Sequence, residues 1–162
     1  MLNDDSIDIL LMLEKGFTIL KIFINTQLIN ILITHAFHNP YEELMKALRG
    51  IINGQKETEC FLYDEPGGVK MEFHKSENNK IRVKINRLED EYYSRKEAKE
   101  NKIIADFIIN EYEFLIKVYF QLKKIFYLLK NKDYSKDRGG RFPFDEYNNF
   151  EKTLKKYIGE IK

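Results

Sequence analysis

Cysteine is nearly missing from this chain and tryptophan is missing altogether: among 162 residues there is one Cys and no Trp. A single thiol, Cys60, excludes an internal disulfide framework and any multi-cysteine metal site. It stands in an apolar strand pattern, where a thiol packs as a small hydrophobe rather than serving as a nucleophile. A reducing, cytoplasmic setting is the expectation that follows. Net charge is also nearly missing, at +1 from 27 basic and 26 acidic residues. No global field therefore draws the chain toward nucleic acid or an anionic membrane. The charge is unevenly spread, with 5 basic and 10 acidic residues over 1–68 but 12 and 6 over 117–162. Asymmetry of this size reads as solvated surface.

A long hydrophobic run is absent too. Residues Ile22 to Tyr41 carry no formal charge, yet Asn25, Thr26, Gln27, Asn30, Thr34, His35, His38 and Asn39 fall inside the run, too many polar groups for hydrocarbon. Met1 to Ser6 brings acids where a secretory signal needs a basic start. The expectation is a soluble chain without membrane contact.

Motifs for chemistry are scarce. Gly67-Gly68 and Gly139-Gly140 lack phosphate-loop spacing, and no G-x-S-x-G, H-E-x-x-H or Cys/His pairing occurs. No cofactor is expected. His35 and His38 form H-x-x-H at a strand end and are the candidate metal ligands, but spacing offers them no third partner; His74 and Asp64 lie on other elements. Glu111 and Glu113, two apart in a helix, point away from each other and cannot work as an acid/base pair. On the central sheet, Lys70, Arg82 and Lys84 share a face with Glu57, Glu59 and Glu72, which cancels the field a phosphate track requires.

What the chain has is 43% hydrophobic and 14% aromatic residues, enough for one core and one domain spanning 1–162. The strongest signal runs from Ile103 to Lys130. Phe107, Phe114, Val118, Leu122, Ile125 and Leu129 mark one side of a helix. A second line of Ile108, Tyr112, Ile116, Tyr119, Phe120 and Tyr127 makes it apolar over most of its circumference, so cover is expected on two sides. With its charged approach this helix spans about 95–131.

Before it, residues 6–35 read as a meander of strands, with a short helix over Asp5 to Leu13 as the rival reading of the first. Asn39 and Pro40 then suit the cap and first position of a helix over about 40–53, closed by Asn53-Gly54. From 57 to 88 the period is two. Thr58, Cys60 and Leu62, then Val69, Met71 and Phe73, then Ile81, Val83 and Ile85 make a dry face over an antiparallel three-strand meander. Its mixed charges can pair across the wet face, and the long helix is the expected lid of the dry one. Residues 132–142 read as a loop, and a final helix follows over about 143–159. The fold class is therefore α+β, with an antiparallel sheet of about five to six strands packed against one long and two shorter helices.

The order of these features resembles small bacterial α+β proteins, some of them toxin-neutralising immunity proteins. The resemblance rests on Asn39-Pro40, on Asp64-Glu65-Pro66-Gly67-Gly68, on the long aromatic helix and on Phe142-Pro143. It spans roughly residues 17 to 160. These are turn and cap signals, so the resemblance implies a fold and the binding of another protein, and carries no functional residue with it.

The leading expectation is a non-catalytic protein-binding module. It would use an exposed sheet face, or the aromatic and arginine groups that interfaces favour: Tyr134, Arg138 and Arg141 in the loop, and Tyr92 and Tyr93 in the charged approach. The alternatives are an enzyme with a site near His35, His38 and His74, and a homo-oligomer whose surplus aromatics form the subunit interface.

Overall fold

The computed structural model describes residues 6–64, 66–89, 100–138 and 142–161. Among the described residues, seven strands and four helices follow in the order β1 (Ile7–Leu13), β2 (Phe17–Ile24), β3 (Gln27–Thr34), α1 (Pro40–Ile52), β4 (Glu57–Tyr63), β5 (Gly68–Ser76), β6 (Lys80–Leu88), β7 (Glu100–Asn110), α2 (Glu111–Leu128), α3 (Lys132–Ser135) and α4 (Phe144–Ile161). They form two antiparallel sheets, β1-β2-β3 and β4-β5-β6-β7. The fold is α+β.

The first segment is a strand and not a helix. Alternation of Ile7, Ile9, Leu11 and Leu13 with Asp8, Leu10 and Met12 buries the first set. Gly16, at φ 82, turns β1 into β2, and Asn25, at φ 54, turns β2 into β3. Helix α1 begins as its sequence dictates. Asn39 accepts a hydrogen bond from the Glu42 amide at 3.2 Å, Pro40 opens the first turn, and Glu42 and Glu43 face the positive end of the helix.

The largest departure from expectation lies before α2. Residues 100–110 do not lead into the long helix; they are β7, paired along the whole of β6. Ala105, Phe107 and Ile109 are buried while Asp106 is exposed, which is the two-residue period of a strand. The β-branched residues Ile103, Ile104, Ile108 and Ile109 favour that conformation. Asn110 then caps α2 by accepting from the Glu113 amide at 3.0 Å. Phe107 and Phe114 still meet, with ring centroids 6.5 Å apart, but from a strand and a helix rather than along one rod.

Helix α2 is covered by the sheets and by α4, and open to solvent on the rest of its surface. Phe114, Leu115, Val118, Leu122 and Ile125 enter the core; of the second apolar line Tyr119 is buried and stacks on Tyr147 of α4, whereas Tyr112, Phe120 and Tyr127 are exposed. The lid over the dry face of the larger sheet is accordingly shared, with α2 packing on β6 and β7 and α1 on β4 and β5. Helix α4 closes over both α1 and α2. Residues 132–135, expected as loop, make the single turn α3, opened by Asn131. One contiguous apolar core joins the inner faces of both sheets to the helices.

Candidate protein-binding surface

The two sheets treat their outer faces differently. On the larger sheet the outer side is a web of opposite charges. Arg82 donates two hydrogen bonds to Asp106, at 2.7 and 2.6 Å. Lys70 lies 3.1 Å from Glu72 and 3.5 Å from Glu59, and Lys84 lies 3.5 Å from Glu72. Burial alone would raise the Glu72 carboxyl pKa, but Lys70, the Asn86 amide and Lys84 together hold it below the usual carboxylate value. Each of the three cations expected on this face is matched by an acid.

The outer face of β1-β2-β3 is instead apolar. Strand register sets Met12, Ile19 and Leu32 in one row across the sheet, Leu10, Lys21 and Asn30 in the next, and Asp8, Phe23 and Leu28 in a third. Phe23 is 38% exposed, Leu28 53% and Leu32 46%, while Ile22, Ile31 and Ile33 on the opposite side are fully buried. Both faces of these strands read as apolar in the sequence, and only the inner one is covered. Lys21 and Asn30, polar residues at mid-strand on the outer side, are the signal that this side is open.

The sheet's two edges also differ. In β1, the bonds from Glu14 N to Phe17 O and from Asn25 N to Ser6 O show that the even-numbered residues pair with β2, so the odd ones face outward. Helix α2 meets those groups with one row of side chains. Lys117 donates to the Ile7 carbonyl at 2.7 Å, Gln121 accepts from the Leu11 amide at 3.3 Å, and Lys124 donates to the Leu11 carbonyl at 2.8 Å. Tyr134 adds a hydroxyl donated to the Leu13 carbonyl at 3.3 Å. Burial lowers the pKa of the Lys124 ammonium. Strand β3, in contrast, pairs only with β2 among the described residues. It also carries no charged residue, the usual guard on such an edge.

Of the five residues singled out in the sequence as protein-binding candidates, Tyr134 and Arg138 make contacts within the chain. Arg138 donates to Glu14 at 3.2 Å and to the Tyr134 carbonyl at 3.4 Å, and its guanidinium stacks 4.8 Å from the Tyr134 ring centroid. Asp137 meets Lys15 at 3.3 Å. The group that reads as an interface anchor thus clamps α3 to the β1–β2 turn. Tyr92, Tyr93 and Arg141 lie outside the described residues.

The histidines go separate ways. His35 is buried and shares a 2.8 Å hydrogen bond with the Thr18 hydroxyl, which in turn bonds the Tyr41 hydroxyl at 2.6 Å. Burial raises the Tyr41 pKa well above the usual phenol value. His38 donates from Nε2 to the Phe61 carbonyl at 2.7 Å and packs edge-on against Tyr63. His74 faces Glu57 at 3.5 Å on the charged sheet. Among the described residues no group of three or more His, Cys, Asp or Glu could hold a metal ion, and no helix is long and apolar enough to cross a membrane.

Glu111 supplies the other polar feature. It is 4% exposed, accepts from the Tyr157 hydroxyl at 2.7 Å and pairs with Lys75 at 3.2 Å, at the back of a cleft of about 490 Å³. With these two contacts Glu111 stitches α4 and β5 to the start of α2. No protein-family model, no curated protein and no solved structure matches the chain.

Proposed function

We propose that the protein is a non-catalytic protein-binding module whose binding surface is the outer face of β1-β2-β3. The observation that carries this reading is the exposure of Phe23, Leu28 and Leu32 on one sheet face, in a molecule whose other sheet dresses its outer face with paired charges. Water is a poor solvent for such a face, and an apolar partner surface gains about 25 cal/mol for each Å² of apolar area it helps bury. The polar residues Lys21 and Asn30 among these side chains give the partner hydrogen bonds with which to fix its orientation. A toxin-neutralising immunity protein is the specific form of this reading, suggested by the resemblance in element order.

Photo-crosslinking tests it. A benzophenone amino acid placed at Phe23 in the native host is expected to give a discrete adduct with a different protein, and the same group at Arg82, on the charged sheet, is expected to give none. The reading is overturned by adducts at neither position or equally at both. If the captured protein is toxic to cells, co-expression of the wild-type chain restores growth, while Leu28→Lys combined with Leu32→Lys abolishes that protection.

A further inference from the structure

We infer that the edge of β3 to which no strand hydrogen-bonds among the described residues pairs with β3 of a second copy of this chain, antiparallel about Asn30, joining two three-stranded sheets into one of six strands. The inference rests on the same sheet being a binding surface, but on its edge rather than its face.

The sequence of the strand carries it. Residues 28 to 32 read Leu-Ile-Asn-Ile-Leu, the same in both directions. Antiparallel pairing of a strand with its own copy sets each residue opposite the one at the mirrored position, so a palindrome brings like to like. Leu28 faces Leu32 of the second copy, Ile29 faces Ile31, and Asn30 faces Asn30 on the two-fold axis. The palindrome ends at Leu28 and Leu32, since Gln27 falls opposite Ile33, while the next pair again matches, Thr26 opposite Thr34. An interface between identical patches must be self-complementary, and this strand is so in apolar character, in size and in its lack of charge.

The backbone agrees with the side chains. The bond from the His35 amide to the Gly16 carbonyl, 3.1 Å, fixes which residues of β3 pair with β2: the odd-numbered ones. Leu28, Asn30 and Leu32 therefore turn their amides and carbonyls to the open edge. Pairing about Asn30 sets even opposite even, so these outward groups meet, and each such pair exchanges two bonds, about six in all.

The register is fixed as well. A slip of one residue opposes inward-pointing groups to outward-pointing ones. A slip of two moves each Asn30 away from its counterpart and against a leucine, leaving both side-chain amides without each other as partners. Ile29, only half-buried in the single chain, gains the cover of Ile31 from the second copy.

Light scattering on the full chain, across a range of concentrations, is expected to give twice the chain mass, and Asn30→Lys to give the chain mass with an unchanged circular dichroism spectrum, since it sets two like charges face to face. Asn30→Cys is expected to form an interchain disulfide on mild oxidation, because the residue meets itself. Gln27→Cys is expected to form none, and the buried Cys60 adds no background. A wild-type monomer at every concentration overturns the inference. So does an assembly larger than two copies, or a dimer that persists in Asn30→Lys without the Asn30→Cys disulfide. A monomer that still captures a different protein at Phe23 removes the second copy and leaves the proposed function standing. A dimer without such capture does the reverse.

Discussion

Single side chains set several turns and joints of this molecule, and some were legible in the sequence. Asn39 and Pro40 announced α1, and the structure has both in those roles. Asn110 announced α2 equally well, because an Asn with Glu three residues later is a capping signal, but an apolar line running from Phe107 past Glu111 to Phe114 and beyond concealed it. Gly68 shows a constraint of another kind. Its φ is 146, and a Cβ added there would lie 2.5 Å from the Leu62 carbonyl oxygen and 2.9 Å from the Tyr63 Cα, both backbone atoms that cannot step aside. Gly68→Ala is expected to destabilise the fold by about 1–3 kcal/mol, seen as a lower denaturation midpoint in urea. A midpoint equal to wild type would show that the β4–β5 turn is not held in this conformation. His35, a candidate metal ligand by spacing, is instead one end of the buried chain through Thr18 to Tyr41, a role that depends on a tyrosine six residues on and a threonine in another strand.

At the scale of elements, the period of each strand and helix was readable, and what each would pack against was not. The dry faces of β4, β5 and β6 followed from alternation alone, since one face carried Cys60, Met71 and Val83 and the other carried charge. For residues 100–110 two periods competed. Phe107 is compatible with a helical line through Phe114 and also with a strand line through Ala105 and Ile109, and pairing with β6 decides for the strand. Tertiary pairing of this sort leaves no trace in the segment's own sequence. The cover of the β1 edge is a similar case. Lys117, Gln121 and Lys124 read as ordinary surface residues of a helix, yet they bond backbone groups about 110 residues away. Gln121→Leu is expected to cost about 1–3 kcal/mol, because the Leu11 amide loses its acceptor, and Gln121→Glu, which keeps an acceptor, is expected to cost less. Equilibrium unfolding of the two variants measures the difference, and equal losses would refute the assignment of that amide to Gln121.

For the molecule as a whole, composition bounded an apolar core and the periods of the segments gave the α+β class, while the apolar face proposed as a binding surface was only partly legible. An exposed sheet face was expected as one option, but not which face, because apolar residues alternate on both sides of β2 and β3 and only Lys21 and Asn30 mark the open side. The aromatic residues impose a collective property. Tyr41 and Tyr147 are fully buried, and Tyr157 bonds Glu111. Burial is the main cause that raises all three phenols above the ordinary value of 10.0, with the Glu151 charge adding to it at Tyr147 and the Glu111 bond at Tyr157. A raised value in the folded state means that the unfolded chain releases these protons first. Their contribution is complete below pH 10.0 and is lost as the pH climbs above it. Denaturation midpoints should hold from neutral pH up to that value and then fall, with tyrosinate absorbance growing as the chain unfolds. Three phenols that ionise at the ordinary value in the native protein would refute this.

The row of α2 side chains along β1 has one more effect. A sheet with two bare margins is an addition polymer in waiting, because every new copy offers the next a fresh place to attach. Here one margin is already occupied by the chain's own helix, so joining through β3 uses up the one edge of this sheet that is left without a partner among the described residues. Self-association by this route therefore terminates itself at a pair, and a strand rich in isoleucine and leucine can stay unguarded without seeding a fibril.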